Sequence, residues 1–176
     1  ERPSSAWCHS ALGRLYGMEA SSRGMLAGMR LAGRIKDSFE EAVRLAPAHY
    51  EMRSDLISYY LAAPAIVGGG SRKAMTNAEA FAKIDPWRGA VMVSRVLAHE
   101  GKLEAAEARL RPLVPPDAER RELLALGYLR IAGAYRRAGD VSKALAMIER
   151  TLTIEPTGNV ADSARRQRDT LLNPKL

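Results

Sequence analysis

The sequence contains one cysteine, few aromatic residues and no long apolar run. Cys8 is the only cysteine among 176 residues, which excludes an internal disulfide. Aromatic residues make up 6% of the chain, and no apolar stretch approaches the roughly 20 residues that a membrane-spanning helix needs. Hydrophobic residues nevertheless reach 47% and charged residues 27%, which is typical of a soluble globular protein. The length suits one ordinary domain or one short array of repeats.

Residues that bind metals or act as nucleophiles are also scarce. Besides Cys8 the chain has three histidines, His9, His49 and His99, which are dispersed along the sequence, whereas a structural zinc site needs about four N or S ligands. Cys8 and His9 are adjacent, and neighbouring residues on a helix point about 100° apart, which disfavours a Cys–His nucleophile. We therefore expect no metal, no cofactor and no enzymatic activity.

Basic residues outnumber acidic ones, 27 against 20, and the calculated pI is about 9.9. This surplus favours acidic partners in general. It is spread along the chain rather than gathered into blocks, which does not favour nucleic acid binding. The chain begins at Glu1 rather than Met, which indicates a processed or trimmed chain. Both a cytoplasmic and an exported or periplasmic location remain open, because no signal peptide is visible.

A helix–turn–helix pattern near the C-terminus recurs along the chain, and such repeats determine the fold. The stretch is "LGYLRIAGAYRRAGDVSKALAMIERTLTIEP", residues 126–156. Its two apolar stripes have helical spacing and flank "RAGD". Pro156 ends the second helix because proline cannot donate the helical hydrogen bond.

This unit resembles the tetratricopeptide repeat (TPR), a 34-residue helix–turn–helix. With Pro156 at repeat position 32, positions 4, 8, 11, 15, 20, 24 and 27 hold Tyr128, Ala132, Tyr135, Gly139, Ala144, Ile148 and Thr151. The small residues at positions 8 and 20 allow two helices to approach closely, and the bulky residues fill the space between neighbouring helices.

Three more units fit the same pattern less regularly. In the third, positions 8, 11, 15, 20 and 24 hold Ser94, Leu97, Gly101, Ala106 and Leu110. The closing prolines Pro47 and Pro86 lie 86 − 47 = 39 residues apart, and the surplus falls in "APAIVGGG". The first unit is longer still, around "EASSRGMLAGMR". Such elongated first and second repeats with an Ala-Pro…Gly-Gly-Gly insert resemble a group of bacterial TPR proteins of undefined function, which implies a fold and a scaffold role, not a reaction.

The sequence therefore predicts an all-α fold, a right-handed α-solenoid of four TPR-like helix–turn–helix repeats with a C-terminal capping helix. The repeats are predicted at about residues 6–47, 48–86, 87–118 and 119–156, and the capping helix at 159–172. All of them are expected within a single domain over residues 1–176.

The run "GGGSRK" has two interpretations. It is not a P-loop, because no Ser or Thr follows the lysine and no strand precedes the glycines. The favoured interpretation is a helix connection in which Pro64 ends a helix, Ile66 and Val67 pack in the core and the glycines turn the chain back. The alternative is an anion contact at the start of the next helix, capped by Ser71. Its residues would be Gly69, Gly70, Ser71, Arg72 and Lys73.

Three methionines, Met18, Met25 and Met29, flank the insertion in the first repeat. They would offer a partner an adaptable apolar surface. The favoured alternative is that they fill the core beside an extended helix from about Gly24 to Ala46.

The resemblance to TPR domains implies a concave groove lined by positions 2, 5, 9 and 12 of each repeat. Arginines at these positions would bind carboxylates with a rigid fork of donors, which predicts a partner segment that is acidic and apolar. The carboxylate clamp of chaperone-binding TPR domains is matched only at Arg88, so binding of a chaperone tail is not expected. The predicted groove residues are Arg14, Arg88, Val91, Arg95, Leu126, Leu129 and Arg136.

The predicted function is a non-catalytic protein–protein interaction scaffold that holds another protein or peptide in this groove. Neither nucleic acid binding nor a membrane span is expected. Two alternatives are homo-oligomeric assembly through the extended first repeat, and an anion or small-ligand sensor at the glycine loop.

Overall fold

The computed structural model describes residues 5–173, and these residues are almost entirely helical. No strand occurs among them, which confirms the prediction of an all-α fold. The segment between the third and fourth helices contains a short 3₁₀-helix, Ala65–Val67. The α-helices are α1 (Ala6–Arg23), α2 (Met25–Leu45), α3 (Tyr50–Ala62), α4 (Ser71–Ala82), α5 (Pro86–His99), α6 (Leu103–Leu110), α7 (Ala118–Arg137), α8 (Val141–Ile154) and α9 (Gly158–Leu172).

The helices follow one another with short connections, and each predicted repeat contains two of them to within one residue at its boundaries. Contacts between residues divide the described part of the chain into two compact units. The first unit ends at Gly89 and the second begins at Ala90, inside α5. The predicted single domain over residues 1–176 therefore stays a prediction, and its first four and last three residues lie outside the described residues.

The core of the first unit follows from the apolar stripe of α2. Ala32, Ile35, Phe39 and Ala42 recur at intervals of three or four residues and are buried, as expected for the inward face of an amphipathic helix. Helix α3 adds Met52, Leu56 and Ile57 to this core, and α4 adds Phe81. All four side chains are fully buried.

A tight junction joins α1 to α2. Gly24 is the only residue between them and has φ 80° and ψ −175°, a conformation that side chains with a Cβ rarely adopt. The two helices also approach closely at Gly13, where an added Cβ would lie 2.5 Å from Cε1 of Phe39. The resulting hairpin has helices of 18 and 21 residues, whereas α3 and α4 have 13 and 12.

The core of the second unit lies between α7, α8 and α9. It is a cluster of buried residues with small side chains at the close approaches: Ala125, Leu129, Ala132, Ile148, Val160 and Ala164. The last two belong to α9, so this helix covers the apolar face of the preceding pair, which confirms the predicted capping helix.

The segment between α3 and α4 differs in part from the prediction. Helix α3 ends at Ala62, two residues before Pro64, as expected. Ile66, however, is 85% exposed and Val67 is only partly buried, so the prediction that both pack in the core is wrong. The segment is held instead by polar contacts, because Tyr59 Oη donates a hydrogen bond to the carbonyl of Val67 at 2.6 Å. Burial raises the pKa of Tyr59, which keeps the phenol protonated as a donor.

Candidate functional site

The first unit contains an apolar groove lined by α1, α2 and α3. Its volume is about 1090 Å³. Residues between Arg14 and Ser22 of α1, between Met25 and Phe39 of α2, and between Asp55 and Val67 line it. Pockets for small ligands usually measure about 300–1000 Å³, so this groove is large enough for a peptide segment.

The groove lies beside the elongated first hairpin. The lining residues of α1 lie in its last turns, and those of α2 run from its first residue, Met25, to Phe39. The turns on either side of Gly24 are the additional length of this hairpin, which the shorter hairpin of α3 and α4 lacks. An insertion that the sequence places in the first repeat therefore forms part of a concave surface.

The three methionines of the insertion are exposed along this groove. Met18, Met25 and Met29 line it and are 69%, 82% and 51% exposed. The extended helix predicted around them is confirmed as α2, but the favoured interpretation that these residues fill the core is wrong. Helical spacing identifies an apolar face, whereas burial needs a second element to cover that face, and none of the described residues does so here.

Polar side chains in the lining already have partners within the chain. The hydroxyls of Ser21, Ser22 and Ser58 donate to backbone carbonyls of their own helices at 2.9, 3.0 and 2.7 Å. The hydroxyl of Tyr59 donates to the carbonyl of Val67, as described above. A ligand in the groove therefore meets mainly apolar surface.

One end of the groove carries a small charged cluster. Arg14 Nε donates to Oδ2 of Asp55 at 2.8 Å, and the hydroxyl of Ser10 donates to the same oxygen at 2.9 Å. A carboxylate oxygen of Glu51 lies 3.8 Å from the Arg14 guanidinium. Arg14 was predicted to bind a partner's carboxylate, but it already faces two carboxylates of its own chain.

The predicted groove residue Arg88 is likewise engaged within the chain. Its guanidinium lies 3.3 Å from Oδ2 of Asp85 and 5.7 Å from the centroid of the Tyr50 ring, within the range of a cation–π interaction. An acidic partner would have to compete with both contacts.

The apolar residues of the predicted groove are largely covered. Val91 and Leu129 are 1% and 6% exposed, and Leu126 packs partly buried against the core cluster of the second unit. The prediction that these side chains offer a surface to a partner is therefore wrong for Val91 and Leu129, because core packing occupies them. Arg95 is partly buried and Arg136 is exposed; their predicted role in partner binding stays a prediction.

The hydrogen-bond donors of the glycine loop bind carbonyl groups of this chain. The N–H groups of Gly68, Gly69 and Gly70 donate to backbone carbonyls of residues 60–65 at 3.0, 3.1 and 2.7 Å, and Lys73 Nζ donates to the carbonyl of Gly68 at 2.9 Å. Gly70, not Ser71, occupies the N-cap of α4, without a side-chain cap, so the predicted cap is wrong. These contacts favour a structural connection over the anion site predicted at Gly69–Lys73.

The described residues offer neither a metal site nor a membrane-spanning helix. Between residues 5 and 173, no group of three or more His, Cys, Asp or Glu side chains is arranged to hold a metal ion. Over the same range, no helix combines the length and apolar character needed to cross a membrane.

Comparison with known proteins reveals a likeness in fold. No protein-family model matches the sequence, and no curated protein is significantly similar to it. A similar solved structure is that of YrrB, described as a TPR protein with an unusual peptide-binding site. The two sequences are 17% identical, and the superposition has a TM-score of 0.51. It covers 94% of this chain and 76% of the YrrB chain.

The chain has a TPR-like fold. This likeness confirms the predicted class, an all-α fold of the α-solenoid type built from TPR-like repeats. The closer resemblance to one bacterial group with a glycine insert stays a prediction.

Sequence reasoning missed the groove although it identified part of its lining. The methionines were recognised as a candidate surface, but Phe39 and Tyr59 were not connected with them. The sequence did contain a signal for the groove. The first and second repeats both carry insertions, and Gly17 and Gly28 lie on helical faces beside the first insertion. In the structure, a Cβ at either glycine would meet no atom within 4 Å beyond its own helix backbone, so neither glycine serves a close helix contact.

Proposed function

We propose that this chain is a non-catalytic protein-interaction module that binds an apolar segment of a partner in the groove of the first unit. The observation that supports it most directly is the 1090 Å³ groove with three exposed methionines in its lining. The TPR-like fold is consistent with this role, and YrrB is a member of that fold described as having a peptide-binding site. Fold alone does not assign function, so the proposal rests on the groove.

The partner segment is expected to be mainly apolar. Arg14 and Arg88 pair with carboxylates of this chain, which weakens the expected preference for an acidic partner. Methionine is flexible and polarisable and adapts to differently shaped partners. Fully burying a side chain of this size contributes about 1.5–3 kcal/mol. Because the three methionines are 69%, 82% and 51% exposed, covering them contributes roughly 3–6 kcal/mol of the roughly 8 kcal/mol that micromolar binding requires. The remainder would come from the other exposed parts of the lining, because Phe39 and Tyr59 are each only 7% exposed and add little area.

A substitution that fills the groove tests this function. Gly28 and Gly33 both lie in α2, and a Cβ at either position would meet no atom within 4 Å. Gly28 lines the groove and Gly33 does not. Gly28→Phe should therefore block the groove without disturbing the fold, and Gly33→Phe is its matched control.

The two variants and the unaltered chain would serve as baits in a cell extract, with the bound proteins identified by mass spectrometry. We expect a protein that is retained by the unaltered chain and by Gly33→Phe but lost with Gly28→Phe. Identical sets of bound proteins with all three baits would contradict the proposal. An additional Arg95→Glu bait tests the groove predicted from the repeat positions: a protein lost with this variant but retained by Gly28→Phe would support that groove instead.

Homo-oligomeric assembly is a second candidate, because the first hairpin exposes a run of apolar side chains. Leu15, Met18, Met25, Leu26 and Met29 are all more than half exposed. Five such side chains would form part of the about 800 Å² that each partner contributes to a standard interface. Light scattering over a range of concentrations tests this candidate, and a mass that stays that of the monomer would exclude it.

A further inference from the structure

The lining of the groove restricts the conformation of a bound segment. Its serine and tyrosine hydroxyls donate to carbonyls of this chain, and Arg14 is paired with Asp55. The lining hydroxyls keep only acceptor capacity, so an extended peptide in the groove would bury C=O groups for which few donors remain, which is costly. An α-helix satisfies these groups internally and exposes only side chains. Resting on the function proposed above, we infer that the partner segment binds as an amphipathic α-helix with a basic first turn.

The length of the groove sets the length of this helix. The lining residues of α2 run from Met25 to Phe39, which at 1.5 Å per residue corresponds to about 21 Å. A partner helix of about four turns would lie along this distance. Helices of this length are common in globular proteins.

The shape of the lining suits a helix with bulky apolar side chains. Gly17, Gly28, Ala32 and Ala62 line the groove with little or no side chain, which lets the ridges of a second helix enter between them. The exposed methionines at the edge can then fold over the helix that enters.

The charges at one end of the groove indicate the chemistry of that helix and its direction. There Asp55 and Glu51 both face Arg14, with distances of 2.8 and 3.8 Å between charged atoms, so two carboxylates share one guanidinium. The N-terminus of a helix carries a partial positive charge. A partner helix with Lys or Arg in its first turn, placed at this end, would complement the excess carboxylate.

A peptide selection tests the inference. A displayed library of random 16-residue peptides would be selected on the full chain and counter-selected on the Gly28→Phe variant. We expect enriched sequences with apolar residues every three or four positions and with Lys or Arg near the N-terminal end. A synthetic peptide of the enriched sequence should gain helical circular dichroism when it binds. Its affinity should fall at least tenfold with Gly28→Phe and less than twofold with Gly33→Phe.

Other outcomes separate this inference from the proposed function. Enriched peptides with alternating apolar residues, or with no period, would overturn the helix while leaving partner binding in place. A helical period with an acidic first turn would overturn the stated chemistry and direction. Absence of any peptide that depends on the groove would overturn both proposals. A dimer of the unaltered chain that dissociates with Gly28→Phe would identify a second copy as the occupant and overturn the partner helix.

Gly17→Leu provides a second groove-filling variant on α1, where a Cβ also meets no atom within 4 Å. If Gly28→Phe does not fold, as judged by circular dichroism, the same selection and binding measurements are made with Gly17→Leu. Both variants are expected to have the same effect, because both side chains enter the same groove.

Discussion

At the scale of single residues, Gly13 and Gly17 lie one turn apart in α1 but have different roles. A Cβ at Gly13 would lie 2.5 Å from the ring of Phe39, whereas a Cβ at Gly17 would meet nothing within 4 Å. Gly13 is therefore needed for the packing of α1 on α2. Gly17 only widens the groove, and as a glycine within a helix it lowers the stability of that helix.

Alanine substitutions at these two positions should have opposite effects. Gly17→Ala is expected to raise the free energy of unfolding by about 0.5–1 kcal/mol, because alanine favours the helix. Gly13→Ala is expected to lower it by about 1 kcal/mol or more, because the overpacking against the buried Phe39 ring exceeds the gain in helix propensity. Urea denaturation followed by circular dichroism measures both changes. A stabilised Gly13→Ala variant would contradict the close approach of the two helices.

At the scale of elements, the helices differ in how their ends are satisfied. The carboxylates of Asp117 and Asp140 accept hydrogen bonds from the N–H groups of Arg120 and Lys143 at 2.7 and 2.9 Å. These bonds cap the N-termini of α7 and α8. By contrast α1 and α2 begin without a side-chain cap, so their stability depends more on packing against each other.

Removal of a cap should weaken the second unit measurably. Asp140→Ala is expected to lower the free energy of unfolding by about 1 kcal/mol, whereas Asp140→Asn should retain most of the stability because asparagine also caps helices. Ser142→Ala, on the exposed first turn of the same helix, is the control and should change stability by less than about 0.5 kcal/mol. The measurement is chemical denaturation of the three variants. Equal losses for the Ala and Asn variants would show that the charge, not the cap, stabilises this helix.

At the scale of the whole molecule, the two compact units and the basic charge surplus are the main features. Gly13 and Asp140 lie in different units and contact different residues. Their stability effects should therefore add to within about 0.5 kcal/mol in the double variant. Denaturation of the single and double variants tests this, and a coupling energy above about 1 kcal/mol would show that the two units respond to each other.

The charge surplus is not concentrated in the groove, which has consequences for binding. Among the residues that line the groove, the charged side chains Arg14 and Asp55 pair with each other, and the remaining surface is mostly apolar. Salt screens exposed charges but not apolar contacts. The affinity of an uncharged apolar peptide that binds in the groove should therefore fall less than about threefold between roughly 0.1 and 0.5 M salt. A decrease of tenfold or more in a fluorescence titration would indicate that the surrounding basic charge dominates binding.

The sequence by itself determined the helix pairs and the class of the fold. Small residues such as Ala132 and Ala144, the glycine turn between their helices and the terminal Pro156 act locally, so their spacing specifies where helices begin, end and approach each other. Burial of individual apolar residues was decided by the tertiary structure. Met18 and Met29 were expected in the core and are exposed, whereas Val91 and Leu129 were expected on a binding surface and are buried. Helical periodicity places a residue on a face, but only the neighbouring elements determine whether that face is covered, and here the unequal lengths of the first two hairpins left a groove open.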